Sequence, residues 1–128
     1  MSLRFSVRQL LAVAAVTVPA ISWAAYPDHP LEWVVPYAAG GGSDVVARVV
    51  AEPMSKSLGQ TIIIINKPGA ATNIGADYAS RAKPDGYTLL TGDTGTLAAN
   101  PYLYKKLSYS AEKDFSSVGM LVRFPMIL

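Results

Sequence analysis

Apolar positions along the chain alternate between the period of a strand and the period of a helix. The apolar segment 33–37 predicts a first strand, and three glycines follow it at 40–42. From 44 to 58, apolar residues recur every three or four positions, which predicts an amphipathic helix that ends at Gly59. The unbroken β-branched run 61–65 predicts a second strand, covered on both faces as in the middle of a parallel sheet.

The same order of elements then repeats. Residues 73–82 predict a shorter helix, with Thr72 or Asn73 as its cap, and residues 87–91 predict a third strand. This repeating order favours an α/β fold with a doubly wound, mainly parallel sheet. Such sheets bind ligands beyond the carboxyl ends of their strands, where the loops after the first two strands lie.

Two features interrupt the regular pattern. Pro53 lacks an N–H and its ring clashes with the carbonyl of Val49, so it predicts a kink or break in the first helix. Near the end of the chain, segments 118–122 and 125–128 are apolar and typical of strands. Because domain ends are generally polar and exposed, we expect the chain to be truncated.

Residues 1–24 have the features of a secretory signal peptide. Arg4 and Arg8 precede a short apolar stretch at 10–21, and small residues stand at the last and third-last positions, which predicts cleavage before Ala25. A transmembrane anchor is the alternative, but it needs about 20 apolar residues and this stretch is shorter. The pattern therefore indicates export, with residues 25–128 as the mature part.

Charge and cysteine content exclude several classes of protein. The chain has 11 basic and 9 acidic residues, and both surplus basic residues lie in the leader, so the mature part has no formal net charge. It has no basic run, which argues against nucleic-acid binding. The absence of cysteine excludes disulfides, thiolate nucleophiles, cysteine metal sites and a lipoprotein anchor. The exported domain must therefore rely on its apolar core.

Catalysis has little support in the sequence. The only histidine, His29, precedes the first predicted strand, so Ser43 has no evident base. Ser43 also lacks the second glycine of a nucleophile elbow, and a role as a loop or capping residue explains it. The sequence shows no cluster of histidine and carboxylate residues for a catalytic metal. We therefore expect a protein that is not an enzyme and binds no metal.

The three glycines raise the question of a bound anion. A glycine loop at a helix start exposes backbone N–H groups that favour an anion. The loop lacks both the G-x-G-x-x-G pattern and a Walker lysine, and Asp44 would repel a pyrophosphate, so we expect no nucleotide cofactor. Asp44 is interpreted as the helix N-cap in preference to a direct ligand contact. Tyr37 is either a core residue or part of a pocket wall.

Several short motifs stand in a fixed order along the chain: YPDHP at 26–30, VPYAAGGGSD at 35–44, LGQ at 58–60, NKPGA at 66–70, NIGA at 73–76, PDGYTLL at 84–90, NPYLY at 100–104 and DF at 114–115. In that order and spacing, the chain resembles the Bug-type substrate-binding proteins of the tripartite tricarboxylate transporter system. The resemblance covers almost all of residues 26–124.

That resemblance implies a periplasmic, non-catalytic receptor with a two-lobed, type II binding-protein fold. It implies a small organic carboxylate as ligand, membrane permease subunits as partners, and a monomer when the protein is full length. Residues 25–128 would be the N-terminal part of the first lobe, with the second lobe missing. A catalytic periplasmic α/β domain and a sensory carboxylate-binding protein not coupled to transport are the alternatives.

The resemblance also implies which residues touch the ligand. In such receptors the loops after the first and second strands grip one carboxylate, largely through backbone amides and ordered water. The implied ligand-binding residues are Tyr37, Ala39, Gly40, Gly41 and Asp44 in the first loop, Asn66, Gly69, Ala70 and Thr72 in the second, and Thr94 after the third strand. We expect Gly40 and Gly41 to supply backbone with positive φ at this site.

Overall fold

The computed structural model describes residues 26–123. The elements in chain order are β1 (Leu31–Val35), α1 (Gly42–Leu58), β2 (Ile62–Asn66), α2 (Asn73–Ser80), β3 (Thr88–Leu90) and α3 (Asn100–Leu103). A 3₁₀ turn (Ala70–Thr72) leads into α2, and a π-helical turn (Gly95–Ala99) leads into α3. The predicted leader at 1–24 and the strand-like segment 125–128 lie outside the described residues.

The three strands form one parallel sheet with β1 in the middle. The order is β2-β1-β3, and Trp33 of β1 is in register with Ile64 of β2 and Leu89 of β3. Because both pairings are parallel, the carboxyl ends of all three strands lie at the same edge of the sheet. This confirms the predicted parallel α/β sheet.

Helices cover both faces of β1, as the doubly wound prediction requires. Leu31, Trp33 and Val35 point to one face, where they pack with Ala47 and Ala51 of α1. Each fully buried side chain of this size stabilises the fold by about 1.5–3 kcal/mol relative to its exposed state. The opposite face meets α2, whose Tyr78 hydroxyl donates to the Glu32 carboxylate at 3.1 Å.

The second strand differs from its prediction in its bounds and in its place in the sheet. It begins and ends one residue later than expected, and in the described part of the chain it is an edge strand rather than a central one. Ile63 is 47% exposed. The β-branched run indicated strand propensity correctly, but propensity does not distinguish an edge from the middle of a sheet. The more mixed segment of β1 takes the middle instead.

The first helix starts earlier than predicted and passes its proline. It begins at Gly42 with Gly41 as N-cap, so the expectation that Asp44 is the N-cap is wrong. Of the predicted kink or break at Pro53, the break is absent, because the helix continues through Pro53 to Leu58. Pro53 lies on the exposed side of α1, where water can satisfy the carbonyl that the missing N–H leaves open. Gly59 ends the helix in the left-handed conformation with φ 67°, as predicted.

The second helix begins at Asn73 as expected and ends two residues early, at Ser80. Thr72 occupies its N-cap position, but the Thr72 side chain does not cap the helix. The predicted strand 118–122 is wrong, since this segment forms no strand and its side chains are exposed. Among residues 26–123, the helices are all too short or too polar to cross a membrane.

Candidate functional site

Three loops meet where the parallel strands end. The first loop (residues 36–41) follows β1, the second loop (residues 67–72) follows β2, and the third loop (residues 91–95) follows β3. The first and second loops come close because α2, which follows the second loop, packs against the first loop at Gly75, a residue with no side chain. A Cβ on Gly75 would lie 2.7 Å from the Cβ of Pro36, so only glycine allows this packing.

A cleft of about 310 Å³ opens between these loops. Its walls are the two loops after β1 and β2 together with the segment after β3, through Pro36, Tyr37, Ala38, Pro68, Gly69, Ala71, Thr72, Gly95 and Asn100. Each of these nine residues has an uncharged side chain. These walls offer no cationic side chain, and the Tyr37 hydroxyl and the Asn100 amide already donate within the protein. An anion in this cleft would therefore be held by backbone N–H groups.

Asp44 lies behind the first loop and holds it in place. Its side chain is buried, and its Oδ2 atom accepts hydrogen bonds from the Gly40 N–H at 2.8 Å and from the Arg48 Nε at 3.0 Å. The other carboxylate oxygen accepts from the Asn66 Nδ2 at 2.9 Å. These contacts replace the expected N-cap role: Asp44 reaches back to the residue before the cap, as a residue in the first turn of a helix can.

Asn66 joins the first loop to the second. Its Nδ2 also donates to the Tyr37 carbonyl at 3.1 Å, while its Oδ1 accepts from the Arg48 Nη2 at 3.1 Å. The hydrogen bond from Arg48, with those from the Gly40 N–H and Asn66, holds the pKa of Asp44 well below its usual range. Asp44 is therefore an anion at neutral pH, and its charge is offset by Arg48.

The glycine loop has one residue in the left-handed region. Gly40 has φ 80°, whereas Gly41 has φ −73° and is the N-cap of α1. The expectation of positive φ is thus correct for Gly40 and wrong for Gly41. The Gly41 N–H donates to the Ala38 carbonyl at 3.2 Å, which closes a tight turn, and only the Gly40 conformation needs glycine for its backbone angles.

The Tyr37 hydroxyl links the first loop to the third by donating to the Asp93 carboxylate. Asp93 also accepts from the Thr96 N–H at 2.7 Å and from the Thr96 hydroxyl at 2.8 Å. Burial, the hydrogen bond to Asp93 and its negative charge together raise the pKa of Tyr37 to about 12. Burial raises the pKa of Asp93, but the hydrogen bonds from Thr96 and Tyr37 outweigh it and leave that pKa below its usual value.

The second loop has an unusual backbone. Ala70, Ala71 and Thr72 have φ values of 47°, 49° and 75°, three consecutive non-glycine residues in the left-handed region, directly after Gly69 at 125°. This conformation costs about 1–2 kcal/mol per residue without compensation. Such strain persists only where the surroundings fix it, and it is concentrated at ligand sites.

The structure brings together only part of the predicted set. Tyr37, Gly69 and Thr72 line the cleft. Asp44 and Asn66 lie behind it and hold the loops. The other predicted residues belong to the same loops, are exposed and do not line the cleft: Ala39, Gly40, Gly41, Ala70 and Thr94.

Sequence reasoning missed Asp93, Thr96 and Asn100, which lie after β3. An aspartate three residues before a threonine is a turn and capping signal, so the pair Asp93 and Thr96 could have been singled out. Asn100 gave no such signal, because its role depends on the second loop that it contacts across 29 residues of sequence.

Comparison with known proteins identifies the family. The family profile described as "Tripartite tricarboxylate transporter family receptor" matches residues 46–128. A protein of Agrobacterium vitis, "UPF0065 protein in the TAR-I ttuE-ttuC' intergenic region", is 43% identical over 118 residues, which are 88% of this chain and 34% of that protein.

Two solved structures share the fold. MatC from Rhodopseudomonas palustris, solved with bound malate, is 43% identical with a TM-score of 0.71, over 75% of this chain and 33% of MatC. The periplasmic binding protein BugD is 44% identical with a TM-score of 0.67, over 70% of this chain and 30% of BugD. The chain thus spans about a third of the length of the relatives it matches. The resemblance to Bug-type receptors is confirmed, and this chain belongs to the tripartite tricarboxylate transporter receptor family.

Proposed function

We propose that this protein is a non-catalytic periplasmic receptor that captures a small organic carboxylate and delivers it to the permease subunits of a tripartite tricarboxylate-type transporter. The observation that carries the proposal is the cleft at the carboxyl ends of the three strands, with its uncharged walls and its loop backbones. A carboxylate held by backbone N–H groups needs no cationic side chain, since N–H groups already fixed in place stabilise negative charge.

The first and second loops each contribute to this site. In the walls of the cleft, Tyr37 forms one side, and Gly69 and Thr72 form the other. The exposed backbone beside the cleft, at Ala39, Gly40, Gly41 and Ala70, is proposed to contribute further N–H groups to the ligand. Asp44 and Asn66 act from behind, because their polar atoms already bond to the loops and to each other. The Thr94 hydroxyl is proposed as a further contact from the third loop.

Malate and related dicarboxylates are the ligand class that we favour, because MatC, at 43% identity, was solved with malate. The residues around the cleft also support binding without catalysis. Tyr37, with its pKa raised to about 12, is protonated at neutral pH and is not a base. His29 stacks on Tyr87 at the amino ends of the strands, the opposite edge of the sheet from the cleft.

Ligand binding is tested by thermal shift and calorimetry on the protein expressed in full from its gene. The panel is malate, succinate, citrate, aspartate and benzoate, with dimethyl malate as the uncharged control. A ligand at 100 times its Kd stabilises the folded state by about 2.7 kcal/mol, which gives a readily measured shift. Stabilisation by malate but not by its dimethyl ester supports the proposal. Equal effects of the acid and the ester, or none from any acid, contradict it.

Export and coupling to transport need separate tests. We propose that residues 1–24 are removed on export, so mass spectrometry of the periplasmic protein should show Ala25 at its N-terminus. Uptake of labelled malate by cells that lack the gene, with and without the gene restored, distinguishes transport from sensing. If uptake is unchanged while malate still binds the protein, the receptor is sensory rather than coupled to a permease.

A further inference from the structure

Asn100 is buried against the strained second loop and bonds to its backbone. It is 3% exposed, and its Nδ2 donates to the Ala71 carbonyl at 2.7 Å and to the Asn73 Oδ1 at 2.7 Å. Ala71 is the middle one of the three residues with positive φ. One side-chain amide therefore bridges the left-handed run and the first residue of α2.

A second set of buried polar contacts supports the same loop. The Thr96 hydroxyl, with no exposed surface, lies 2.7 Å from the Thr72 hydroxyl. The Tyr109 hydroxyl donates to the Thr96 carbonyl at 2.8 Å, and the same oxygen lies 3.1 Å from the Asn73 Oδ1. Thr72 and Tyr109 are themselves buried. Since buried polar groups are costly unless they are paired, this arrangement permits few alternative loop shapes.

The π-helical turn explains how these groups reach the loop. The turn Gly95–Ala99 runs directly into α3, which places Thr96 and Asn100 one helical turn apart and facing the second loop. Single π turns inside helices occur frequently at functional sites. The loop geometry and the turn geometry are therefore two parts of one arrangement.

We propose that Asn100 is a positioning residue of the ligand site, which holds the second loop in the left-handed shape that lines the cleft. This inference rests on the proposed function for its effect on malate, but the effect on loop conformation does not depend on any ligand. Without the Asn100 amide, Ala70, Ala71 and Thr72 relax toward negative φ, which any residue other than glycine prefers. The cleft then loses the wall formed by Ala71 and Thr72.

The first measurement compares Asn100→Ala with the parent, both expressed in full from the gene. We expect amide hydrogen exchange in residues 70–73 to become about tenfold faster, the change typical of one lost hydrogen bond, while exchange in α1 stays unchanged. We expect the malate Kd to rise by at least about tenfold. Unchanged exchange in residues 70–73 overturns the proposal.

A rescue variant separates positioning from general stability. Glycine adopts positive φ without strain, so Ala71→Gly in the Asn100→Ala background should restore much of the malate affinity. The matched control is Ala99→Gly in the same background, because Ala99 has φ −86° and gains nothing from glycine. Restoration by both glycines, or by neither, overturns the proposal.

If Asn100→Ala does not fold, Tyr109→Phe takes its place. This variant removes only the Tyr109 hydroxyl and its contacts with Thr96 and Asn73, and the same rescue and control are then measured in its background. If the parent does not bind malate, the exchange data still decide whether Asn100 holds the loop. Failure of the whole acid panel then counts against the proposed function alone.

Discussion

The Nδ2 atom of Asn66 lies 2.9 Å from the Oδ1 atom of Asp44, so the last residue of β2 is bonded to the first turn of α1. The two residues are 22 positions apart in sequence. Asn66 immediately precedes the second loop, and Asp44 is the third residue after the first loop. Asp44 accepts from the Gly40 N–H and Asn66 donates to the Tyr37 carbonyl, so the same pair fixes the backbone of the first loop at two points. The two loops that form the cleft are thereby joined behind it.

The first prediction concerns this connection. Asp44→Asn keeps the size of the side chain but removes its charge. One of its two oxygens becomes an NH2 group, which then faces the N–H donors of Gly40 and Arg48 or that of Asn66. We expect it to lower the thermal midpoint and to weaken malate binding, because Gly40, Arg48 and Asn66 all lose a carboxylate acceptor. Differential scanning calorimetry and titration with malate measure the two effects.

The matched control for that variant is Glu52→Gln. Glu52 also pairs with a basic residue four positions on, Lys56 at 2.8 Å, but both side chains are largely exposed. Exposed pairs of this kind contribute about 0.3–0.5 kcal/mol, so both the midpoint and the malate affinity should hardly change. An equal loss in the two variants would show that Asp44 acts only as a surface charge.

A second prediction concerns acid stability. The pKa of Asp44 is lowered in the folded state, so its contribution is present above the unfolded value near 3.8 and is lost as the pH falls through the folded pKa. The gap in thermal midpoint between the parent and Asp44→Asn should therefore be constant from pH 7 to about pH 5 and should shrink below pH 4. A gap that is the same at pH 3 and pH 7 contradicts the assignment.

Alkaline stability gives a third prediction, on Tyr37. Its pKa is raised to about 12 from 10.0, so the neutral phenol is favoured by the folded state. That stabilisation is complete below pH 10 and is lost as the pH rises toward 12. Tyr37→Phe should lose the hydrogen bond to Asp93, weaken malate binding and show a smaller fall in stability over this range. Tyr102→Phe is the control, since Tyr102 is 90% exposed.

The fourth prediction tests the glycine loop. Gly40→Ala places a Cβ at φ 80°, which should destabilise the fold by about 1 kcal/mol or more, disturb the first loop and weaken malate binding. Gly42→Ala is the matched control, because Gly42 lies in α1 and an added Cβ there meets no atom within 4 Å. Urea unfolding and malate titration of the two variants should differ. Similar losses in both would contradict the special role of Gly40.

Much of the fold follows from local sequence. The apolar segment at Trp33, the apolar period of α1 and the stop at Gly59 predict strand, helix and helix end, because burial pattern and backbone preference act over a few neighbouring residues. The order of these elements then favours a parallel sheet. The motifs that carried the family resemblance also pointed to the first and second loops before any contact was known.

Long-range contacts decided the rest. The sequence alone could not tell that β1 rather than β2 is the central strand, because both segments are rich in strand formers and only pairing fixes their order. Nor could the sequence predict that Asp44 holds the first loop in place, since that role depends on a hydrogen bond from Asn66, which lies at the end of β2.

The sequence by itself determined the types of the elements between residues 31 and 90, the leader pattern and which loops line the cleft. Tertiary structure alone decided which side chains line the cleft and which hold its loops. Asn100 shows the physical reason. Nothing in its neighbouring sequence indicates a function for its side-chain amide, which bonds to the Ala71 carbonyl only because folding buries the two groups together. A buried polar group must find a partner, and that partner is chosen by the fold rather than by the neighbouring sequence.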